Sequence, residues 1–175
     1  GEVVVGLKIF NALFDDAFQL ELLQSVQQAT PETAADWIVY GNRLFDPVRE
    51  FDGHAGIAYG GPELSDRNLR VLSAFHDKCG AERTPMAATG DINSGRMALE
   101  YALRGASSFQ LHTFFQLPSE QFVLRSGNRT QKALHELYLD PEDGLVVWLE
   151  HLARRLDLPR HPLRLTDVVG YGRPH

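Results

Sequence analysis

Cysteine is almost absent: Cys79 is the only one in 175 residues, so the chain can build neither an internal disulfide nor a thiolate metal cluster. Long apolar runs are absent too, because stretches such as Gly144–Leu149 fall far short of the roughly twenty residues that span a bilayer. No basic-then-apolar segment opens the sequence, and no dense Lys/Arg stripe occurs in it. Lys and Arg number 17 against 23 Asp and Glu, a formal net charge of −6. Nucleic-acid surfaces need clustered positive charge to neutralise phosphates, so the balance argues against nucleic acid as well as membrane. These absences predict a cytoplasmic protein that handles small molecules. His112, His135 and His151 share no metal-ligand spacing, and no metal is expected. Asn128-Arg129-Thr130 has the form of a glycosylation acceptor, but without an export signal it reads as accidental.

What is present is a repeat of apolar runs and helical periods. With 43% hydrophobic residues the chain can bury one substantial core, and residues 1–175 are expected to form a single unit. Val3–Phe10, Trp37–Asn42, Pro85–Thr89 and Ser107–Thr113 are short and nearly continuously apolar, which suits parallel strands buried on both faces. Between them lie helical patterns. One opens at Asp15-Asp16, with Phe18, Leu22 and Val26 on one face. The next is capped by Ser65, lined by Leu69, Leu72 and Phe75, and ends near Gly80. A third is capped by Ser94 and buries Met97, Tyr101 and Ala102 before Gly105. Two more are expected, from Pro118 to about Tyr138 and from Asp140-Pro141 to about Asp157, the latter burying Leu145, Leu149 and Leu152. The tail, with Pro159, Pro162, Gly170, Gly172 and Pro174, reads as irregular. Right-handed β/α crossovers leave two architectures, an open doubly wound sheet or part of a closed barrel. An eight-stranded barrel takes about 250 residues, so four units would make half of one.

Several residues at strand ends could carry chemistry. Lys8 interrupts the first apolar run, either as a lysine that snorkels to water or as a cation at a barrel mouth, ready for an anionic ring or phosphate. Asn42, in Gly41-Asn42-Arg43, is either a turn residue or a donor and acceptor for the edge of a pyrimidine or flavin. Gly60 and Gly61 are either a simple turn or a place where backbone N–H groups approach a phosphate. Thr89-Gly90-Asp91-Ile92-Asn93-Ser94-Gly95 is the stronger signal, because a glycine-containing turn from strand to helix presents N–H groups to an anion. Thr113 ends the fourth run, where its hydroxyl could complete that cradle. Phe109, Phe114 and Phe115 read as packing, and Cys79 as structural.

In order along the chain, Gly-Leu-Lys-Ile-Phe, Ala-Asp-Trp-Ile-Val-Tyr-Gly-Asn, Tyr-Gly-Gly-Pro and Pro-Met-Ala-Ala-Thr-Gly-Asp-Ile-Asn-Ser-Gly resemble the fifth to seventh β/α units of dihydroorotate dehydrogenases. Gly-Ala-Ser-Ser-Phe-Gln-Leu-His-Thr, ending at Thr113, is similar to the eighth. The resemblance covers roughly Val3 to Phe115. It implies an α/β fold: the C-terminal half, β5–β8, of a (β/α)8 TIM barrel that binds FMN, with extra C-terminal helices. It also implies that Lys8 meets the flavin ring, that Asn42 contacts a pyrimidine substrate, and that Gly60 and Gly61 form the glycine loop after strand six. By the same resemblance Thr89, Gly90 and Asp91 lie beside the flavin phosphate, and His112 and Thr113 finish that site.

Three departures from the family pattern stand out. Arg43 replaces a small hydroxylic residue beside Asn42 in the substrate pocket, and Asp91 replaces the second glycine of the strand-seven turn. The family's catalytic base, a cysteine or serine from the earlier half, has no counterpart, so this chain holds no catalytic residue by resemblance. The implied function is the FMN-binding part of an oxidoreductase that converts dihydroorotate to orotate in pyrimidine biosynthesis, incomplete by itself. A non-catalytic module for FMN or another phosphate ligand is the alternative. Four barrel strands leave two edges and an open inner face, so either an N-terminal half-barrel or a second copy is the expected partner, or the Pro118–Asp157 helices cover the opening.

Overall fold

A computed structural model describes residues 3–12, 15–30, 33–61, 64–80, 84–158 and 163–172; Pro62, Pro159, Pro162 and Pro174 lie outside the described residues. Four parallel strands, β1 (Gly6–Ala12), β2 (Trp37–Phe51), β4 (Met86–Thr89) and β5 (Ala106–Gln110), pair in the order β1-β2-β4-β5. The connections carry α1 (Asp16–Gln27), α2 (Leu64–Cys79) and α3 (Gly95–Leu103). Parallel neighbours need such crossovers because a tight turn cannot return the chain to the same end of the sheet.

Alternation along the strands separates two faces. Ile9, Ile38, Tyr40, Met86, Ala88 and Ala106 pack with Leu20, Leu23, Val71, Leu72, Phe75, Ala98 and Tyr101 of the helices, forming the main core. The opposite face carries Lys8, Val39, Ala87 and Ser108, which are register partners in one row across the sheet. Lys8 Nζ donates to Gln110 Oε1 at 3.5 Å, although β2 and β4 lie between their strands. A flat sheet would hold those side chains apart. The sheet is curled into a half-barrel, with helices on its convex side.

Local rules explain where the expected elements hold and where they fail. Asp15 caps α1 by accepting from Phe18 N at 2.8 Å, and Ser94 caps α3 by accepting from Met97 N at 3.2 Å. Asp16 then links α1 to Arg70 of α2. The buried face of α1 is Gln19, Leu20 and Leu23, whereas Phe18 and Leu22 are exposed, because α1 turns its inner side toward its main neighbour, α2. Ser65 is no cap: it sits buried within α2, which starts at Leu64.

The second run continues past Asn42 into an antiparallel hairpin, β2 with β3 (His54–Tyr59). Its turn is Asp52-Gly53, both at positive φ, the Asp-Gly pair that two-residue hairpin turns favour. The single helix expected from Pro118 is broken into a 3-10 turn at Ser119–Gln121 and α5 (Arg129–Leu139), after the short α4 (Thr113–Gln116). Gly127 at positive φ and a capping box between Asn128 and Gln131 restart the helix. Asn128 thereby acts as a helix cap. Helix α6 (Leu145–Arg155) buries Leu145 and Leu152 against α3. The tail is more ordered than its composition predicts: a 3-10 turn at Leu165–Val168 buries Val168, and Gly170 and Gly172 donate to the carbonyls of Ala102 and Leu103.

Candidate functional site

At the carboxyl ends of β4 and β5, beside β1 and the middle of β2, the half-barrel opens into a cavity of about 750 Å³. Its walls include Lys8, Asn42, Arg43, Gly60, Gly61, Thr89, Gly90, Asp91, His112 and Thr113, so the structure brings together around one space every strand-end residue singled out in the sequence. Lys8 comes from β1, Asn42 and Arg43 from the middle of β2, and Gly60 and Gly61 from the link after β3. Thr89 ends β4, Gly90 and Asp91 follow it, and Thr113 opens α4 rather than ending a strand.

Two positions are set by backbone geometry. Gly90 has φ +102, and a Cβ there would collide with the Gly41 carbonyl oxygen, so only glycine fits where the turn crosses β2 at Gly41. Asp91 is also left-handed, at φ 53, a conformation that aspartate tolerates better than most side chains. Its carboxylate accepts from Ser65 Oγ at 3.0 Å and from Asn93 Nδ2 at 3.3 Å. Partial burial, followed by the nearby Asp66 charge, raises its pKa against the lowering effect of those hydrogen bonds. The side chain therefore leans on α2.

Arg43 is exposed at the rim, where Nη1 donates to the Ala58 carbonyl on β3 at 3.2 Å. The hairpin, which the apolar pattern of the sequence does not announce, is thus what holds this arginine. Gln110 carries no motif either, although it meets Lys8 across the cavity. Asn11, Tyr40, Asn68 and Tyr101 form a buried polar cluster beneath the cavity. The only local sign of it is a set of polar side chains on otherwise apolar faces.

No family model matches the sequence and no curated protein matches it. Solved structures do. The crystal structure of DHODH (dihydroorotate dehydrogenase) from Eimeria tenella in complex with ferulenol aligns with TM-score 0.58 at 16% identity, over 95% of this chain and 37% of that one. The ligand-free DHODH from Eimeria tenella aligns with TM-score 0.58 at 16% identity, over 98% and 40%. The fold is half of a DHODH-like barrel. At that identity the likeness concerns the fold, and the chain spans about two-fifths of the length of these structures.

The lining suits an anionic ligand with polar edges. Lys8 and Arg43 set two cations against the carboxylate of Asp91, whose oxygens are turned to Ser65 and Asn93. Asn42, His112 and Thr113 add hydrogen-bonding groups, and Gly61, at φ +147, has nothing within 4 Å of the place a Cβ would take, which leaves room for a ligand to approach backbone. A smaller cleft of about 370 Å³ between α3 and α6 is lined by Arg96, Arg104 and Arg155. There Arg104 pairs with Glu100, and Arg96 with Asp143 and the Trp148 ring, so the positive charge is largely compensated. Among the described residues, no helix is long and apolar enough to cross a membrane.

Proposed function

We propose that this chain is the FMN-binding part of a dihydroorotate dehydrogenase-like oxidoreductase, which oxidises dihydroorotate or a related pyrimidine only when the rest of a barrel is supplied. The observation that carries this reading is the convergence of Lys8, Asn42, Gly60, Gly61, Gly90 and Thr113 on one cavity at the carboxyl ends of a half-barrel, where barrel enzymes place their chemistry.

When bound, FMN would supply the hydride acceptor that no side chain can provide. Lys8 sets a cation on the concave face, where it would offset negative charge on a reduced flavin. Asn42 presents an amide to the polar edge of a planar substrate, and Arg43 closes the rim beside it. Gly90 and Thr113 serve the phosphate, with the Asp91 carboxylate held aside by Ser65. No residue of this chain takes the role of the proton-abstracting base, which leaves that step to the partner segment: an N-terminal half-barrel or a second copy.

The test is flavin uptake by the purified chain, read as flavin absorbance that survives gel filtration. Lys8→Met and Thr113→Val should each weaken FMN affinity about tenfold, the scale of one lost charge-assisted contact. Gly90 is unsuited to this test, because any side chain there collides with the Gly41 backbone. A colourless protein that binds inorganic phosphate at the same cavity would favour the alternative, a non-catalytic phosphate-ligand module, for which Arg43 and Asp91 speak.

A further inference from the structure

Asn68 lies within α2 with none of its surface exposed, among residues that otherwise form an apolar core. Its Nδ2 is shared among the Gly41 carbonyl at 2.9 Å, the Thr89 carbonyl at 3.1 Å and the Tyr101 hydroxyl at 3.1 Å. Its Oδ1 accepts from Asn11 Nδ2. The chain of hydrogen bonds continues at both ends: the Tyr40 hydroxyl donates to Asn11 Oδ1 at 3.1 Å, and the Tyr101 hydroxyl donates to the Gly90 carbonyl at 2.8 Å. Asn11, Tyr40 and Tyr101 are as deeply buried as Asn68. Burial raises the pKa of both phenols, so each keeps its proton to donate.

The carbonyls captured by Asn68 and Tyr101 belong to Gly41, Thr89 and Gly90. Gly41 and Gly90 have φ of +90 and +102, so at these two glycines the chain leaves regular strand geometry just where the cluster takes hold of it. A Cβ at Gly41 would overlap the Asn68 amide, which shows how closely the turn sits on it. The residues that follow, Asn42 and Arg43 in one turn and Asp91 in the other, line the cavity. A leucine at position 68 would fill the volume yet leave carbonyls to find other donors in a dry interior.

We propose that Asn68 and Tyr101 are positioning residues: together they clamp the irregular Gly41–Arg43 segment of β2 and the Thr89–Asp91 turn at one separation and so set the width of the cavity between its ring end and its phosphate end. The link to flavin rests on the function proposed above; the clamp itself does not. Because the clamp acts on main-chain atoms, it works through the turns and touches no ligand. It also joins α2 and α3 to the site from behind, so that the helical layer shapes a pocket it does not line with these side chains.

The experiment compares wild type with Tyr101→Phe, Asn68→Leu and, as a matched control, Val71→Ala, which removes core volume from the same helix without touching the cavity wall. Amide hydrogen exchange of the ligand-free chain is measured beside FMN titration. Tyr101→Phe should speed exchange about tenfold at residues 89–92 and weaken FMN binding by a similar factor, the effect of one lost hydrogen bond. Asn68→Leu should extend faster exchange to residues 41–43. Val71→Ala should lower the melting temperature, raise exchange across the core and leave FMN affinity within about twofold. Unchanged exchange at both turns in Tyr101→Phe overturns the clamp, as does an equal loss of FMN affinity in Val71→Ala. Should Asn68→Leu fail to fold, Tyr101→Phe decides alone. If wild type takes up no FMN while Tyr101→Phe still loosens residues 89–92, the clamp stands and the flavin reading falls.

Discussion

Asp91 is the residue whose chemistry most strains the site it lines. It stands in a left-handed conformation, and burial raises its carboxyl above the ordinary aspartate value of 3.8. In the unfolded chain the group ionises at that ordinary value, so as pH rises through the window up to the raised value, folding loses stability. Below the window the cost is absent. Asp91→Asn, which keeps an acceptor for Ser65 and suits positive φ, should therefore stabilise the chain at neutral pH, with the gain fading in acid. Melting curves across the acid range check this. On the proposed function the same change should tighten FMN binding at neutral pH and flatten its rise on acidification, since a negative charge is removed from the cavity wall near the phosphate end even though Ser65 and Asn93 hold its oxygens aside. Arg43 is the second such residue. Its guanidinium is committed to the Ala58 carbonyl at the exposed rim, so Arg43→Thr should alter stability by no more than about 0.5 kcal/mol. On the proposed function, a completed barrel carrying this change should turn over dihydroorotate faster by reopening the space beside Asn42; steady-state kinetics decide, and unchanged rates would place the arginine clear of substrate.

Among the elements, α3 is the one on which the others converge. It packs against α6 on one side, against β5 and α2 on others, and carries Tyr101 to the base of the site. Its first residue, Gly95, sits so close to the start of α6 that a Cβ would collide with backbone at Leu137 and Leu145. Gly95→Ala should cost about 1–3 kcal/mol by overpacking, even though alanine is the better helix former, and chemical denaturation would show it. The loss should fall on the α5–α6 layer first, because those helices must move to make room. The hairpin of β2 and β3 behaves differently. Val48 and Phe51 near its tip are exposed, so its contribution lies in holding Arg43 and delivering Gly60 and Gly61 to the cavity.

At the scale of the molecule, the strand order leaves β1 and β5 as edges. Val3, Val4 and Val5, which run into β1, are each more than half exposed, and Phe10 is half exposed. Unpaired strand edges with apolar flanks are templates for association. Helices α5 and α6 do not relieve this, since they pack on α3 in the helical layer. The isolated chain is therefore expected to self-associate at micromolar concentration, and co-expression with a segment supplying four further strands should replace that with a defined complex; light scattering after gel filtration distinguishes the two. Alone, the chain should show no dihydroorotate oxidation, because nothing in it matches the family's base. Turnover by a strictly monomeric preparation would overturn the half-barrel account of its activity.

The sequence by itself determined the β/α alternation, the capping of α1 by Asp15 and of α3 by Ser94, and the strand-end residues that surround the cavity. Each of these depends on local chemistry: apolar runs, side-chain caps, and turns placed where strands stop. Tertiary structure decided the rest. Whether four parallel strands lie flat or curl is a property of packing between layers: periodicity left it open, the resemblance implied the curl, and the contact of Lys8 with Gln110 across two intervening strands shows it. The buried face of α1 depended on which neighbour lay beside it, so Phe18 and Leu22 came out exposed despite their spacing. Nothing in the local sequence singles out Asn68, one polar residue in an amphipathic helix. Its meaning came from the carbonyls of Gly41 and Thr89, brought to it from 27 and 21 residues away, because a hydrogen-bonding partner so distant in sequence leaves no periodic trace.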